Sequence, residues 1–132
     1  MNNFNLEFIV RDYECDLQKI VNNAVYFHYL EHTRHEFFKS AGISFLEMYQ
    51  KGINAVVRRS EVDYKFPLTS GDKFYVTLEI KQESKITFTC YQDIYRIPDN
   101  KLIIKAKIIC TCVSNSGKPF LADEIKKIIG NY

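Results

Sequence analysis

Residues 15–34 read CDLQKIVNNAVYFHYLEHTR, and this stretch decides the fold of the chain of 132 residues. A helical pattern runs from about Ala24 to Ala41, and Gly42 is a suitable residue to end a helix. The aromatic side chains of this helix occupy more than one of its faces, so we expect it to be largely enclosed by the rest of the protein. The two asparagines directly before it can cap its start.

Most of the remaining sequence has the texture of β-strands. Residues 4–14 alternate apolar and polar side chains, which predicts a first strand. A short helical segment ends at Gly52, and an amphipathic segment closes the chain at residues 120–130. Four strand-like runs lie between these two segments: INAVVRRSEVDYKF (53–66), DKFYVTLEIKQES (72–84), ITFTCYQDIYRI (86–97) and KLIIKAKIICTCVS (101–114). The breaks between them are short and rich in turn residues, which favours consecutive antiparallel hairpins.

This order of elements predicts an α+β domain. One strand, one long enclosed helix and four long strands are most simply packed as a curved, five-stranded antiparallel sheet wrapped around the central helix. A chain of this length buries one core, and no Pro/Gly/Ser linker divides it. We therefore expect a single domain over residues 1–132.

Composition excludes several classes of protein. The 18 Lys and Arg residues face 16 Asp and Glu residues without a block of like charge, which argues against a nucleic-acid binder. No run of eighteen apolar residues and no apolar stretch near the N-terminus occurs, so we expect no membrane association and a cytoplasmic protein. The four cysteines contain no CxxC pair, and we expect free thiols.

Two segments resemble the hotdog-fold acyl-CoA thioesterases of the 4-hydroxybenzoyl-CoA thioesterase-like branch. In the first, an aspartate is followed by a V-N-N stretch, an aromatic residue, a glutamate and an arginine, which here are Asp16, Tyr26, Glu31 and Arg34. The second, VVRRSEVDYKFPLTSGD (residues 56–72), is similar to a strand and turn of the same family. The loop after Asp16 is bulkier than in many relatives and lacks the histidine that some of them carry.

The resemblance implies hydrolysis of an acyl-CoA substrate to a free acid and CoA, without a metal or other cofactor. Asp16 would then attack the thioester carbonyl as a nucleophile or activate water as a general base, and the sequence leaves both roles open. Free backbone N–H groups at the helix start, at Asn23 and Ala24, would stabilise the negative charge on the carbonyl oxygen. From spacing alone, Asp16 could instead cap the loop or the helix.

Four residues are candidates for binding the substrate: Asn22, Tyr26, Arg58 and Ser60. Asn22 either binds the substrate or caps the helix, and Tyr26 either lines the acyl pocket or packs in the core. Arg58 and Ser60 are two residues apart on a strand and share a side. The resemblance makes them candidates for lining the substrate channel of a neighbouring subunit, whereas the alternative for Arg58 is a solvated arginine paired with an acidic neighbour.

Two further features of the helix have structural interpretations. Glu31 could be a second catalytic carboxylate, but we favour an ion pair with Arg34, three residues later. His28 and His32 lie one helical turn apart, yet no third ligand has suitable spacing, so we expect no metal site.

The resemblance also implies a homodimer or a homotetramer, because hotdog domains pair their sheets and build active sites at the interface. The exposed edges of a lone five-stranded sheet independently favour pairing. Two alternatives to an acyl-CoA thioesterase stay open, namely an acyl-carrier-protein thioesterase and a non-catalytic acyl-CoA binding protein. A hydratase is a weaker alternative, since no His and Asp arrangement at the helix start supports it.

Overall fold

The computed structural model describes residues 4–129, which build one antiparallel sheet and three helices. The elements are β1 (Phe4–Ile9), α1 (Val25–Ser40), α2 (Phe45–Gln50), β2 (Ile53–Tyr64), β3 (Lys73–Gln82), β4 (Thr87–Ile97), β5 (Lys101–Ser114), β6 (Pro119–Phe120) and α3 (Asp123–Ile129). The five long strands lie in the order β1-β3-β4-β5-β2, and the short β6 pairs with the end of β5. The two ends of the predicted domain, residues 1–3 and 130–132, lie outside the described residues.

The long helix α1 is enclosed as its aromatic pattern predicts. Five of its residues are buried: Tyr26, Tyr29, Leu30, Thr33 and Phe38. The ring of Phe74 on β3 stacks on Phe8 of β1 with 5.1 Å between centroids, and it lies 4.7 Å from the ring of Tyr29. The predicted α+β arrangement, in which a sheet wraps around one long helix, is therefore confirmed.

Local hydrogen bonds set both ends of α1 within one residue of the prediction. At the start, Asn22 Oδ1 accepts a hydrogen bond from the N–H of Ala24 at 2.9 Å. At the end, Gly42 has a φ of +84°, a conformation that glycine adopts without steric cost. The N–H of Ile43 then donates to the carbonyl of Phe38 at 2.9 Å, which closes the helix in a Schellman motif.

The first strand is shorter than predicted, because the chain leaves the sheet after Ile9 and turns so that the Glu14 side chain becomes buried. β1 ends at Ile9, and residues 12–14 form a 3₁₀ turn. The buried Glu14 carboxylate accepts hydrogen bonds from the Arg11 N–H (2.8 Å), the Arg11 guanidinium (3.0 Å) and the Tyr29 hydroxyl (2.8 Å). These bonds tie the segment after β1 to the buried face of α1.

Glu14 is held in its ionised form by this network. Burial by itself raises the pKa of the Glu14 carboxyl, but the three hydrogen bonds outweigh burial and lower the pKa below its ordinary value. The pKa of the Tyr29 hydroxyl is raised, first by burial and then by its bond to Glu14. The network therefore stabilises the fold only while Glu14 carries its charge.

The strand order corrects one prediction, since β2 and β3 do not form a hairpin. β2 pairs with β5, whereas β3 lies between β1 and β4, so residues 65–72 cross from one side of the sheet to the other. Leu68 anchors this crossover in the core, where it is completely buried. Its N–H donates to the Tyr26 hydroxyl (3.1 Å), and its carbonyl accepts from the N–H of Val21 (2.9 Å).

We expect Leu68→Ala to lower the free energy of unfolding by about 2–5 kcal/mol, because it leaves a cavity where the crossover meets α1. Leu17→Ala is the matched control, since the Leu17 side chain is fully exposed, and we expect a change within about 0.5 kcal/mol. Urea denaturation followed by circular dichroism measures both. Similar values for the two variants would contradict the anchoring role of Leu68.

We expect Tyr29→Phe to lower the free energy of unfolding at pH 7 by about 1–3 kcal/mol, because Glu14 loses a buried donor. The pKa of Glu14 is lower in the folded state, so its stabilising effect is complete above the unfolded value, about 4.3, and is lost as the pH falls through the folded value. The difference between wild type and Tyr29→Phe should therefore shrink in acid. Tyr13→Phe alters an exposed tyrosine and should change neither the free energy of unfolding at pH 7 nor its dependence on pH. A difference between wild type and Tyr29→Phe that does not vary with pH would exclude the proposed linkage.

Candidate active site

The loop between β1 and α1 carries most of the predicted site residues. An isolated antiparallel bridge between Cys15 and Val21 joins the two sides of this loop. A second bridge, between Ile20 and Thr69, holds it to the crossover segment. Asp16 follows the first bridge directly, so its backbone position is fixed by the loop on one side and the crossover on the other.

The Asp16 carboxylate has one engaged and one free oxygen. It is half-buried, and its Oδ1 accepts a hydrogen bond from the N–H of Gln18 at 2.8 Å. Its Oδ2 makes no hydrogen bond with any residue between 4 and 129. The capping role considered for Asp16 is thus present, but it occupies one oxygen and leaves the other for chemistry.

Asp16 lies at a cleft of about 480 Å³ between the loop, the start of α1 and the end of β2. The cleft is lined by Asp16, Gln18, Ile20, Val21, Asn23, Tyr26, Tyr64, Lys65, Phe66 and Pro67. Three predicted site residues, Asp16, Asn23 and Tyr26, therefore lie together. Tyr26 is buried, and its hydroxyl is engaged by Leu68, so it contributes an aromatic wall.

The start of α1 offers one of the two predicted backbone donors. Within the described part of the chain, the N–H of Asn23 has no acceptor, and the Asn23 carbonyl is held by the Tyr64 hydroxyl at 3.1 Å. The N–H of Ala24 instead donates to Asn22 Oδ1. The prediction of a free N–H at Ala24 is corrected accordingly, because the cap of the helix uses that donor.

The side chain of Asn22 resolves its two sequence interpretations in favour of capping. Asn22 Oδ1 accepts a hydrogen bond from the N–H of Ala24, and the backbone carbonyl of Asn22 accepts one from the N–H of Val25 at 2.9 Å. Asn22 is also not among the residues that line the cleft. Its predicted role in binding substrate finds no support in this geometry.

Arg58 and Ser60 do not reach the cleft of their own chain. Both are exposed on β2, the last strand of the sheet. The register of β2 against β5 shifts between Val57 and Arg59, which makes Arg58 the extra residue of a β-bulge. The bulge interrupts the simple alternation that would place Arg58 and Ser60 on one side. Arg59, and not Arg58, forms the ion pair with Glu61, at 3.1 Å.

The expected ion pair between Glu31 and Arg34 is wrong. Glu31 is exposed and forms no ion pair within residues 4–129. Arg34 Nη1 donates to Gln92 Oε1 at 3.1 Å instead, and Gln92 Nε2 donates to the carbonyl of Leu30 at 3.1 Å. The completely buried side-chain amide of Gln92 on β4 is therefore the partner of Arg34, whereas spacing within the helix predicted Glu31.

The remaining polar candidates form no metal centre. Between residues 4 and 129, no group of three or more His, Cys, Asp or Glu side chains is arranged to hold a metal ion. The four cysteines are free thiols as predicted, and three of them, Cys90, Cys110 and Cys112, are buried. No helix within the same range is long and apolar enough to span a bilayer.

Two lysines lie at or beside the cleft: Lys65, which the sequence offered as one of several lysines that could meet CoA phosphates, and Lys101, which it did not single out. Lys65 lines the cleft itself. The Arg96 guanidinium lies 5.2 Å and the Lys101 ammonium 4.8 Å from the ring centroid of Phe66, another lining residue. Arg96 is paired with Asp99 at 2.6 Å, so Lys65 and Lys101 supply the uncompensated charge in this part of the described chain. The pairing of β2 with β5, continued by the hydrogen bonds from the N–H groups of Lys65 and Phe66 to the carbonyl of Ile103, brings Lys101 near the cleft.

Known proteins are similar to this chain in sequence and in architecture. The chain is 37% identical over 114 residues to the chloroplastic acyl-acyl carrier protein thioesterase ATL3 of Arabidopsis thaliana. The aligned residues cover 86% of this chain and 60% of that protein. The chain thus spans about 60% of the length of this relative. A hypothetical protein from Aquifex aeolicus is 30% identical with a TM-score of 0.88, over 96% of this chain and 99% of its own.

A further solved structure shows the same fold at lower identity. It is a 1,4-dihydroxy-2-naphthoyl-CoA thioesterase from Synechocystis, with a TM-score of 0.91 and 20% identity over 96% of this chain and 95% of its own. The family model of the Thioesterase-like superfamily matches residues 10–128, which include the loop, the cleft and the whole of α1. With its hotdog fold and this match over most of its length, the chain belongs to the Thioesterase-like superfamily.

Proposed function

We propose that the protein is an acyl-CoA thioesterase that uses Asp16 in the cleft at the start of α1. The observation that carries the proposal is that the Asp16 carboxylate and the unpaired N–H of Asn23 line one cleft at the positive end of a helix. Membership of the Thioesterase-like superfamily supports the same chemistry. No other carboxylate lines that cleft among the described residues.

The geometry supports a simple division of roles. The thioester carbonyl oxygen accepts a hydrogen bond from the N–H of Asn23, where the helix end favours negative charge. Asp16 Oδ2 either attacks the carbonyl carbon, giving a mixed anhydride that water then hydrolyses, or takes a proton from an attacking water molecule. Both routes release the CoA thiol and a carboxylic acid.

The carrier of the acyl group is part of the proposal. The charges of Lys65 and Lys101 beside the cleft suit the phosphates of CoA, which are anionic and lie at the far end of the pantetheine arm from the thioester. The relative from Arabidopsis is named for acyl carrier protein, and the structure from Synechocystis is named for a CoA thioester. An acidic carrier protein could use the same two lysines, so the substrate panel must contain both carriers.

We also propose that the chain works as a homodimer paired through β2. β2 is a twelve-residue edge strand, and an unpaired edge of this length invites a second copy. Its apolar side chains at Val56, Val57 and Tyr64 are exposed. Pairing through β2 would bring Arg58 and Ser60 of one copy towards the substrate channel of the other, which is the role that the sequence resemblance implies for them.

A single domain over residues 1–132 in the cytoplasm completes the proposal. The free thiols at Cys90, Cys110 and Cys112 fit a reducing compartment.

We expect Asp16→Asn to lower turnover of acyl-CoA substrates by on the order of a hundredfold or more, because the amide can neither attack nor accept a proton. Thiol release is measured with short, medium, long and aromatic acyl-CoAs and with acyl-carrier-protein substrates. Asp123→Asn, an exposed aspartate on α3, serves as the control and should keep full activity.

The outcomes of this panel separate the alternatives. Equal rates for wild type and Asp16→Asn would remove Asp16 from the chemistry. Release from carrier-protein substrates alone would identify an acyl-carrier-protein thioesterase. Binding of acyl-CoA without release of thiol would identify a non-catalytic binding protein.

We expect Val57→Lys to dissociate the dimer, because it places a charge on the β2 edge and removes an apolar contact. Sedimentation velocity should show a monomer, and thioesterase activity should fall with it. Ile9→Lys changes an apolar residue that is 57% exposed, against 48% for Val57, on β1 at the opposite edge of the sheet, and it should leave the dimer intact. An active wild-type monomer would contradict pairing through β2.

A further inference from the structure

A second cavity lies between α1 and the first half of β2. It measures about 640 Å³ and shares no lining residue with the Asp16 cleft. Most of its wall is apolar: Phe38, Ile43, Phe45, Ile53, Val57 and Phe88. The proposed hydrolysis assigns it no task.

Arg34 is the half-buried cation of this cavity. Its Nη1 donates to Gln92, whose amide is completely buried and fixed in turn by the carbonyl of Leu30. A guanidinium has five N–H donors, and the bond to Gln92 is the only hydrogen bond that the Arg34 side chain forms with residues 4–129. The head group is thus held in place from one side while most of its donors stay unused.

The charges around the cavity leave Arg34 uncompensated by any direct contact. Glu31, His35 and Lys39 are exposed residues of the lining, and Glu36 is half-buried. Arg34 forms no ion pair with a described carboxylate.

A second polar group in the wall of this cavity is the thiol of Cys110. Cys110 is a buried lining residue of the cavity on β5. Its pKa is lowered, first by a hydrogen bond from Cys90 and also by the charge of Arg34, although burial acts in the opposite direction. The hydrogen bond to the completely buried Gln92 places one side of the guanidinium against the buried wall of the cavity.

We propose that this cavity binds a carboxylate carried on an apolar body, with Arg34 as the charge partner and the aromatic and aliphatic walls around the hydrocarbon. A planar guanidinium matches a carboxylate with two parallel hydrogen bonds, and such pairs are stronger where water is partly excluded. The volume and the apolar wall match a ligand with a long hydrocarbon chain or a ring system.

Two sources provide this chemistry. One is a free fatty acid, which is the product class of the proposed reaction. The other is the far end of an acyl group that carries a terminal carboxylate. Arg34 lies nine positions after Val25 on α1, about 14 Å along the helix, so a carboxylate at Arg34 lies well away from the Asp16 cleft. Binding of a free acid does not depend on the proposed function, whereas the second source rests on it.

The test measures binding of dodecanoate by titration calorimetry. We expect Arg34→Met to weaken binding at least tenfold, Arg34→Lys to weaken it less, and dodecanol to bind wild type at least tenfold more weakly than dodecanoate. Arg59→Met, an exposed arginine on β2, is the matched control and should bind normally. Circular dichroism checks that each variant is folded.

A second variant keeps the proposal testable if Arg34→Met fails to fold. Ala55→Phe introduces a ring into the wall of the cavity and should abolish binding with Arg34 intact. Asp16→Asn should bind dodecanoate as wild type does, so a failure of the proposed catalysis stays distinguishable from a failure of this site. Equal affinity in wild type and Arg34→Met, or equal affinity for dodecanoate and dodecanol, would overturn the proposal.

Turnover then separates the two sources. If the ligand is the end of an acyl group, Arg34→Met should lower kcat/KM at least tenfold for a dodecanedioyl-CoA with a free terminal carboxylate and leave dodecanoyl-CoA unchanged. If the ligand is the free acid, Arg34→Met should leave both substrates unchanged and relieve inhibition by dodecanoate. Equal loss for both substrates would show a general structural role for Arg34 and contradict the proposal.

Discussion

The hydrogen bonds that converge on Glu14 are the constraint on which the site depends. A buried, ionised carboxylate is costly unless its oxygens are paired, and here three donors from two residues, Arg11 and Tyr29, satisfy it. The carbonyl of Glu14 also accepts the N–H of Asn22 at 3.0 Å. One residue thereby joins the end of β1, both ends of the loop and the buried face of α1, and Asp16 is placed two residues later on that fixed base.

Local patterns predicted the elements well because each pattern here has a local cause. The limits of α1 follow from Asn22 and from the glycine after it, and the strands from alternation and turn residues. The end of β1 and the β2–β3 crossover were not predictable in this way, since the burial of Glu14 and of Leu68 depends on Tyr29 and Tyr26, which are distant in sequence.

The site was predictable where one residue acts alone and not where neighbours compete. Asp16 and Asn23 line one cleft and their roles stay a prediction, but the free N–H expected at Ala24 is used by the side chain of Asn22. Spacing on a helix predicted a partner for Arg34 within the helix, yet the amide of Gln92 lies on a strand almost sixty residues later. Contacts between distant segments decide such competitions, and single-sequence patterns do not contain them.

The edge position of β2 connects the two pockets of the molecule. The Asp16 cleft adjoins the Tyr64 end of β2, and the Arg34 cavity adjoins the end at Ile53. In an antiparallel pair of β2 strands, the end of one strand lies beside the start of the other. The proposed dimer would therefore bring the cleft of one copy close to the cavity of the other. The proposed carboxylate site at Arg34, which is remote from Asp16 of its own chain, would then border the Asp16 cleft of the second chain. Dimerisation would in that case complete a substrate-binding region as well as cover the exposed edge of β2.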